Sequence, residues 1–295
     1  MLRRADMAMY EAKKLGRSRH SFFSAEFNAH VQAQTRLEHE LKLALQRNEF
    51  VLHFQPQVAA GGLMPVGCEA LIRWQHPQRG LVPPLAFIGV AEQCGLIGDV
   101  GAWAVRSACA QIARWKAAGF EFGRVAVNVS AAEFHDRRLI DTVEAAMDEH
   151  GVRADELELE ITETVLMSDV GNALQVVESL QALGLKLAVD DFGTGYSSLA
   201  YLKRLRPRTI KIDRSFLRGV PDDEEDCAVV LAIVRLAQAL GIEVVAEGVE
   251  TETQREFLRA AGCDVLQGFL ISRPCEAGGF ETWARGWQAQ HVLDD

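Results

Sequence analysis

Residues 186–199 read KLAVDDFGTGYSSL and combine the end of an extended segment with an acidic pair and a glycine-rich loop. Leu187 and Val189 fall on one face of the segment and Asp190 on the other, which is the two-residue period of a strand. Asp190 and Asp191 close this strand, and two glycines follow at once. Paired acids at a strand end are, taken alone, compatible with an ordinary solvated turn. They gain meaning here because other predicted strands of the chain also end in polar side chains.

The composition describes an acidic protein with a large apolar fraction. The 295 residues carry a net charge of −10, from 41 acidic and 31 basic side chains, and 48% of them are hydrophobic. This suffices for one large core, and single barrels of roughly 200–250 residues are common. The acidic balance argues against binding of duplex nucleic acid, which needs a basic surface. No apolar run approaches the roughly 20 residues of a membrane span, and the start lacks a signal-peptide pattern.

The cysteines indicate a reducing compartment. They show neither CxxC pairs nor zinc spacing, so we expect reduced thiols and a cytoplasmic location, with tethering through an N-terminal region left open. The six are Cys68, Cys94, Cys109, Cys227, Cys263 and Cys275.

Residues 1–24 precede the main pattern and contain ADMAMYEAKKLGRSR. This stretch resembles the C-terminal helix and strand of GGDEF domains, the diguanylate cyclase family. The GGDEF motif itself does not occur in the sequence. The resemblance therefore implies a domain remnant without cyclase activity, and a larger parent protein with an N-terminal GGDEF or sensor region. Residues 25–48 place apolar side chains largely four apart and are predicted to form a connector helix.

Residues 49–288 alternate predicted strands with predicted helices, and residues 289–295 form a tail. Eight strands alternating with helices are typical of an α/β fold, the (β/α)8 barrel of the TIM type. The predicted strands are 50–58, 65–73, 124–130, 157–162, 186–191, 209–215, 243–248 and 265–271. The predicted helices are 84–94, 98–118, 137–150, 171–183, 198–205, 223–240, 251–261 and 276–287. Glycines that suit left-handed helix caps follow five of them: Gly119, Gly151, Gly184, Gly241 and Gly262.

The first two predicted strands depart from the standard barrel. Only the six residues AAGGLM join them. A parallel crossover needs a dozen residues or more, so these strands are predicted to form a hairpin. The first strand should therefore run antiparallel to the other seven.

The strand ends supply the candidate chemistry, since active sites of such barrels lie at the carboxyl ends of the strands. Each predicted strand from the second to the eighth brings a polar side chain to that end. These side chains are Glu69 and Arg73, Asn128, Glu160, Asp190 and Asp191, Lys211 and Asp213, Glu247, and Gln267.

With Asp213 left aside, five of these side chains are carboxylates and only two are cationic. The carboxylates are Glu69, Glu160, Asp190, Asp191 and Glu247, and the cations are Arg73 and Lys211. Two carboxylates about 4 Å apart repel by roughly 4 kcal/mol at an effective dielectric constant near 20, so five cannot stay ionised together without further cations. An all-oxygen set favours Mg²⁺ or Mn²⁺, with Ca²⁺ left open, and the number of acids suggests two ions, as in phosphoryl hydrolysis. Arg73 can hold a phosphate, and Lys211 can orient the attacking water.

The ordered motifs of the chain resemble one family. The tripeptide Glu69-Ala70-Leu71 lies within EALIRWQHP, and VNVS, ELEITET, DDFGTGYSSL, KIDRSF, VAEGVET and QGFLISRP follow. On these motifs, residues 50–274 are identified as a member of the EAL family, the phosphodiesterases of cyclic di-GMP. The resemblance implies a barrel with an antiparallel first strand. It also implies metal-dependent hydrolysis of cyclic di-GMP to linear pGpG, which lowers the level of this bacterial second messenger.

The resemblance also implies a role for each matching residue. Glu69, Asn128, Glu160 and Asp190 look like ligands of the first metal ion, and Asp190 also bridges to the second. Asp191, Glu247 and Gln267 complete the second site, and Lys211 contacts the catalytic water. Glu69, Lys211 and Glu247 are the expected catalytic residues, and Glu163 anchors the glycine loop. Expected substrate contacts are Gln55, Leu71, Arg73, Asp213 and Glu250. The family often forms homodimers, and residues 213–220 are the candidate contact.

Three other interpretations remain open at this point. A catalytically silent EAL domain would bind cyclic di-GMP as a receptor without cutting it. A different metal-dependent barrel enzyme, such as an enolase-like lyase, would use Lys211 as a base. A purely structural role for the acids is disfavoured because two cations cannot pair five anions.

Overall fold

The computed structural model of this chain describes residues 25–62, 64–136, 138–195 and 199–291. The GGDEF-like stretch of residues 1–24 and the last four residues of the predicted tail lie outside the described residues, as do residues 196–198 of the glycine-rich loop.

A closed eight-stranded barrel, surrounded by helices, forms the centre of the fold, as the sequence predicts. The strands follow one another around the barrel in the order β1-β9-β8-β7-β6-β5-β4-β2, and β1 closes the ring by pairing with β2. A short ninth strand, β3, extends β2 outside the ring. The strands are β1 (Phe50–Ala59), β2 (Pro65–His76), β3 (Gly80–Val82), β4 (Arg124–Asn128), β5 (Leu157–Thr162), β6 (Lys186–Phe192), β7 (Thr209–Ile212), β8 (Glu243–Ala246) and β9 (Val265–Leu266).

The antiparallel first strand is confirmed. β1 pairs antiparallel with both β2 and β9, whereas the pairs from β2–β4 round to β8–β9 are parallel. In the hairpin, Gln55 is the register partner of Glu69. The short connection, which cannot span a crossover, thereby places a β1 glutamine at the level of the first acidic residue.

The helices cover the outside of the barrel. They are α1 (Ala25–Gln46), α2 (Ile88–Gln93), α3 (Ile97–Ala117), α4 (Ala131–Phe134), α5 (Arg138–His150), α6 (Glu163–Ser168), α7 (Val170–Ala182), α8 (Leu199–Leu205), α9 (Glu224–Leu240), α10 (Glu252–Ala261) and α11 (Ala277–His291). All five predicted cap glycines have positive φ, between 61° and 88°, which a residue without Cβ adopts without strain.

The main core lies between the barrel and its helices. On β4, Val125 and Val127 are buried in it, as are Leu157, Leu159 and Ile161 of β5. A second cluster packs α1 against the β2–β3 lobe through Leu41, Trp74 and Phe87. The two-residue period thus sends alternate apolar side chains outward to the helices and leaves the intervening polar ones inside the barrel.

Some predicted boundaries were wrong, and local hydrogen bonds explain why. Strand 209–215 ends at Ile212, because the Asp213 carboxylate caps a 3₁₀ turn over Arg214–Leu217 by accepting from the Ser215 amide. Strand 265–271 stops after Leu266, where the chain turns at Gly268. The short strand β3 and the helices α4 and α6 were not predicted.

Candidate active site

Lys211 lies at the centre of the polar side chains that meet at the carboxyl ends of the barrel strands. Its Nζ is 2.6 Å from Glu160 Oε2 and 2.5 Å from Glu247 Oε1. One oxygen each of Glu69 and Asp190 lies 3.5 Å away. The side chain is only 1% exposed, so its charge is balanced by these four carboxylates rather than by water.

Two amide side chains hold Glu69 from either side. Asn128 Nδ2 donates to Glu69 Oε1 at 2.6 Å, and Gln267 Nε2 donates to Glu69 Oε2 at the same distance. Gln267 also donates to Gln55 Oε1 at 3.1 Å, and Gln57 Nε2 donates to Gln267 Oε1 at 2.9 Å. The carboxylate of the EAL tripeptide is therefore fixed by a network that reaches from β4 through β9 to β1.

A bulge in β6 explains how two consecutive acids can serve one site. Neighbouring residues of a regular strand point to opposite faces, but the pairing of β6 with β7 shifts between Val189 and Phe192. Asp191 has a φ of 52°, and its amide donates to Asp190 Oδ1 at 2.9 Å. Bulges of this kind redirect side chains beside active sites. Asp191 consequently comes close to Asp213, at the end of β7.

Glu163 connects the end of β5 to the glycine-rich loop. Its Oε2 accepts a hydrogen bond of 2.8 Å from the Gly193 amide, and the side chain is buried. A Cβ atom on Gly195 would lie 3.1 Å from Glu163 Oε1, tighter than ordinary contact. The glutamate singled out from the sequence thus lies against the loop that follows the acidic pair.

The electrostatics of the cluster reflect an excess of negative charge. Burial, reinforced by Glu69, raises the pKa of Glu160 well above its usual range. Burial also raises the pKa of Glu247 to about 8, although Lys211 opposes the shift. For Lys211, burial would lower the pKa, but the surrounding carboxylates outweigh it and raise the pKa well above normal. One ammonium group does not neutralise these acids.

Outside the cluster, burial and the nearby Asp190 raise the pKa of Asp191 to about 6. Burial acts in the same direction on Asp213, but the hydrogen bonds from Ser215 outweigh it and lower the pKa of that carboxyl. Glu69 differs from its neighbours: burial is outweighed by Lys211 and by the two amide donors, which lower its pKa. Within the cluster the pKa of Glu69 is thus lowered, while the pKa values of Glu160 and Glu247 are raised.

The predicted substrate contacts lie around this cluster rather than within it. Arg73 is half-buried, and its Nη1 donates to the carbonyl of Ile72 instead of pairing with a carboxylate. Leu71 lines a cavity beside the cluster, while Glu250 is exposed on the loop after β8. Only Lys211, and not Arg73, therefore forms ion pairs with the clustered acids in the part of the chain that the structure describes.

A cavity of about 480 Å³ opens next to Glu69 and Asn128. This volume lies in the range of small-molecule sites, and most of the lining is apolar. Its walls include Leu71, Pro84, Ile88, Ile97, Val100, Val127 and Val165. A larger cavity of about 690 Å³ lies at the opposite end of the barrel, where Lys186, Lys203 and Arg208 line it without any carboxylate. The acidic cluster and the apolar cavity together make the first location the candidate site.

Two polar residues of this region, Gln57 and Glu133, were not predicted from the sequence. Gln57 lies two residues after Gln55 on β1, so both side chains are on the same face of the strand. The two-residue alternation of β1 could have indicated Gln57 from the sequence. Glu133 lines the cavity and accepts hydrogen bonds from the amide and hydroxyl of Ser130 at 3.0 and 2.6 Å, which fixes the loop after Asn128. Burial raises the pKa of Glu133 to about 7, against the effect of Ser130. Its spacing of three from Ser130 is the signature of a capping box.

The donor set fits a hard divalent cation by its chemistry. The clustered side chains offer only carboxylate and amide oxygens, the ligands that Mg²⁺ and Mn²⁺ take. The raised pKa values of Glu160 and Glu247 indicate that added positive charge would stabilise the cluster. Among the described residues no three acids, histidines or cysteines converge as a ready cage, because the Lys211 ammonium lies between the carboxylates. A rotation of the Asn128 side-chain amide by about 180° would exchange its oxygen and nitrogen, so that the oxygen faces the site in place of the NH₂ group that donates to Glu69.

The model of the EAL domain family matches residues 38–274. The chain is 46% identical over 273 residues to the bifunctional diguanylate cyclase/cyclic di-GMP phosphodiesterase MucR of Pseudomonas aeruginosa, covering 92% of this chain and 40% of MucR. It is 39% identical over 283 residues to the cyclic di-GMP phosphodiesterase PdeR of Escherichia coli, covering 96% of this chain and 42% of PdeR. The chain thus spans about two fifths of the length of these relatives.

Solved structures show the same fold. The MucR phosphodiesterase in complex with cyclic di-GMP matches with a TM-score of 0.80 at 46% identity, over 83% of this chain and 99% of that one. The EAL enzyme Bd1971, bound to cAMP and cyclic di-GMP, matches with a TM-score of 0.82 at 30% identity, over 96% of this chain and 74% of that one. Three findings agree: the match to the family model, the identity to these relatives and the acidic cluster at the mouth of the barrel. The chain belongs to the EAL domain family.

Proposed function

We propose that this chain is a metal-dependent phosphodiesterase that hydrolyses cyclic di-GMP to linear pGpG. The observation that carries the proposal is the convergence of Glu69, Glu160, Asp190 and Glu247 on Lys211 at the mouth of the barrel. Relatives named as cyclic di-GMP phosphodiesterases support the substrate. The structure of the MucR phosphodiesterase with cyclic di-GMP bound supports the same substrate, because that protein shares this barrel fold.

Two Mg²⁺ or Mn²⁺ ions are part of the proposal. Glu69, Asn128, Glu160 and Asp190 would hold the first ion, and Asp190, Asp191, Glu247 and Gln267 the second. When bound, such ions neutralise charge on the phosphodiester and lower the pKa of a water molecule at the site. The excess of carboxylates over Lys211 supports this assignment.

The protein's own groups perform the remaining tasks. Lys211, held among carboxylates, can keep an attacking water in place by donating a hydrogen bond from its ammonium group. Arg73 can turn its planar guanidinium from the Ile72 carbonyl to a phosphate of the substrate, which offers a stronger, charged acceptor. The water would attack phosphorus in line with the 3′ oxygen, which leaves. Leu71, Gln55, Asp213 and Glu250 are the further proposed contacts.

The receptor alternative shares the site but lacks the chemistry. FimX EAL domains from Xanthomonas citri and Pseudomonas aeruginosa have been solved with cyclic di-GMP bound, so an EAL barrel can hold this nucleotide in a stable complex. The full set of acids and the buried Lys211 favour the hydrolase here, because a receptor has no use for an unbalanced carboxylate cluster.

Three wider features also belong to the proposal. Residues 1–24 derive from a GGDEF domain, which the name of MucR as a bifunctional cyclase supports. Residues 213–220 contribute to a homodimer; Arg214, Ser215 and Arg218 are exposed there. The protein acts in the cytoplasm, which the six free thiols support. No helix among the described residues has the length and apolarity needed to cross a membrane.

Incubation of the purified chain with cyclic di-GMP and Mg²⁺ or Mn²⁺, followed by chromatography, tests the hydrolase. We expect pGpG to accumulate with repeated turnover. Stoichiometric binding of the intact nucleotide, with no pGpG under either metal, would identify the receptor instead.

A further inference from the structure

An exposed aromatic side chain stands at the mouth of the barrel beside the acidic cluster. Phe269 follows Gln267 by two residues, and the Gln267 side chain is buried in the network around Glu69. Phe269 is 49% exposed, and it is the one exposed Phe, Trp or Tyr among the residues whose burial the structure describes. Leaving an aromatic ring in water costs free energy, so this position calls for a reason beyond packing.

The ring is covered on one face by a cation. The guanidinium carbon of Arg273 lies 4.2 Å from the centroid of Phe269, a cation–π contact. Arg273 is exposed and forms no ion pair in the described part of the chain. This contact with Phe269 places the Arg273 guanidinium over one face of the ring and leaves the other face open.

The loop that carries both residues is hydrogen-bonded to the network around Glu69. The Gln55 side chain joins the loop to this network. Its Oε1 accepts a hydrogen bond from Gln267, and its Nε2 donates to the Ser272 carbonyl at 3.2 Å. The amides of Ile271 and Ser272 donate to the Gly268 carbonyl, and the Leu270 amide donates to Val249. Gly268 permits this approach, because a Cβ atom there would lie 2.1 Å from the Val249 carbonyl oxygen. The loop of Phe269 is therefore connected, through Gln55 and Gln267, to the network that holds Glu69.

The proposed substrate has charged phosphodiesters and flat, apolar guanine bases, and the residues described above contact only the phosphodiesters. Its phosphodiesters face the acidic cluster, Lys211 and Arg73, but its two guanine bases need flat apolar surfaces. The cavity lined by Leu71 and Pro84 lies on the β2–β4 side of Glu69. Phe269 lies on the other side of Glu69, after β9. The bases of a cyclic dinucleotide project from opposite sides of its phosphate ring, which matches this division.

We infer that Phe269 is a stacking platform for one guanine base of the substrate, with Arg273 as the residue that positions the ring. The inference rests on the proposed function. A base would stack on the face of Phe269 that Arg273 leaves open. Base–aromatic stacking is sequence-tolerant, and it acts on binding more than on bond cleavage. Phe269 would consequently set the affinity for the dinucleotide and leave the reacting phosphate unchanged.

The test compares Phe269→Ala, Phe269→Trp and Arg273→Ala with the wild type, using cyclic di-GMP and Mn²⁺. We expect Phe269→Ala to raise KM by roughly 5- to 150-fold while kcat changes by less than about 3-fold. Phe269→Trp should keep KM near the wild-type value, and Arg273→Ala should raise it less than Phe269→Ala does. The Mn²⁺ concentration for half-maximal activity should not move in any variant, since none removes a group of the acidic cluster.

Matched controls separate stacking from loss of exposed side chains in general. Leu240→Ala removes an exposed apolar side chain at the opposite end of the barrel, and Arg285→Ala removes a cation 6.0 Å from the Phe120 ring. Both should leave KM unchanged.

An unchanged KM in Phe269→Ala would overturn the inference, and so would an equal loss in kcat or a shift in the Mn²⁺ dependence. If the wild type binds cyclic di-GMP without cutting it, the proposed hydrolysis fails. The same variants are then compared by the calorimetric Kd for cyclic di-GMP in Ca²⁺, where a constant Kd would overturn the stacking role.

Discussion

Replacing Glu247 by glutamine tests whether the acidic cluster is held together against its own charge. In the native protein the Glu247 carboxylate lies 2.5 Å from Lys211, yet burial raises its pKa to about 8. The unfolded chain titrates this group near pH 4.3. Glu247→Gln keeps the size of the side chain and an oxygen that can accept from Lys211. It removes one negative charge from the cluster, and Lys211 retains Glu160 at 2.6 Å.

The direction of the pH effect follows from the raised pKa. A carboxyl whose folded pKa lies above its unfolded pKa stabilises the protein fully below the unfolded value, and this contribution is lost as pH rises through the folded value. The metal-free wild type should therefore lose stability between about pH 4.5 and pH 8. At about 1.36 kcal/mol per pKa unit, Glu247 contributes at most about 5 kcal/mol to this loss.

The assay is urea unfolding of both proteins in EDTA at a series of pH values. At pH 8.5 we expect Glu247→Gln to be more stable than the wild type, by at most about 5 kcal/mol, because the glutamine amide has no unfavourable charge to carry in the folded state. At pH 4.5 the two should be nearly equal. Saturating Mg²⁺ should raise the stability of the wild type at pH 8.5, by about 2.7 kcal/mol at 100 times its dissociation constant.

Glu156→Gln is the control, since Glu156 is a buried glutamate whose two carboxylate oxygens are both paired with cations. Lys116 Nζ lies 2.9 Å from one of its oxygens and Arg153 Nη1 lies 3.0 Å from the other. This variant should be less stable than the wild type at neutral and alkaline pH. A metal-free wild type whose stability is flat or rises between pH 5 and 8 would refute the reasoning, as would a Glu247→Gln protein that is less stable at pH 8.5.

Three further predictions concern the site and its loops. Glu69→Gln and Asp190→Asn should each lower kcat/KM for cyclic di-GMP by roughly 10³-fold, because each removes a metal-binding oxygen. The circular-dichroism spectra should be unchanged, and retained turnover in either variant would remove that residue from the mechanism. Glu163→Ala should lower turnover roughly 10- to 100-fold through loss of the 2.8 Å hydrogen bond to Gly193. Replacement of the exposed Glu178 of α7 by alanine should not lower turnover, and equal rates in the two variants would contradict the loop contact. Gly268→Ala should lower the urea midpoint strongly, because its Cβ would lie 2.1 and 2.2 Å from backbone atoms of Val249. Gly278→Ala in α11, where a Cβ would have nothing within 4 Å, should be neutral or slightly stabilising, and matching midpoints would be inconsistent with the close approach at Gly268.

The barrel could be predicted from the sequence because its signals are local. The connection between β1 and β2 is too short for a crossover, and this alone determined the antiparallel pair. Glycines such as Gly241 marked helix ends through a backbone conformation that other residues avoid. The ends of β7 and β9 could not be predicted, since they depend on the Asp213 cap and on the contact of Gly268 with Val249. Both are set by the folded geometry rather than by strand propensity.

The members of the acidic cluster could be named from strand alternation, but their mutual arrangement could not. Counting charges put Arg73 and Lys211 on equal terms, whereas the structure gives Lys211 four carboxylate neighbours and Arg73 a backbone carbonyl. The positive φ of Asp191 is similarly invisible to a two-residue period, because a bulge adds a residue to one strand only. Such features depend on distances between strands that are far apart in sequence.

The most direct test of the account is the rate at which the purified chain converts cyclic di-GMP to pGpG before chelation, after chelation and after return of the metal. We expect turnover with Mg²⁺ or Mn²⁺, none in excess EDTA, and full recovery when either ion is restored. Undiminished turnover in EDTA would contradict the claim that these carboxylates act by holding divalent cations.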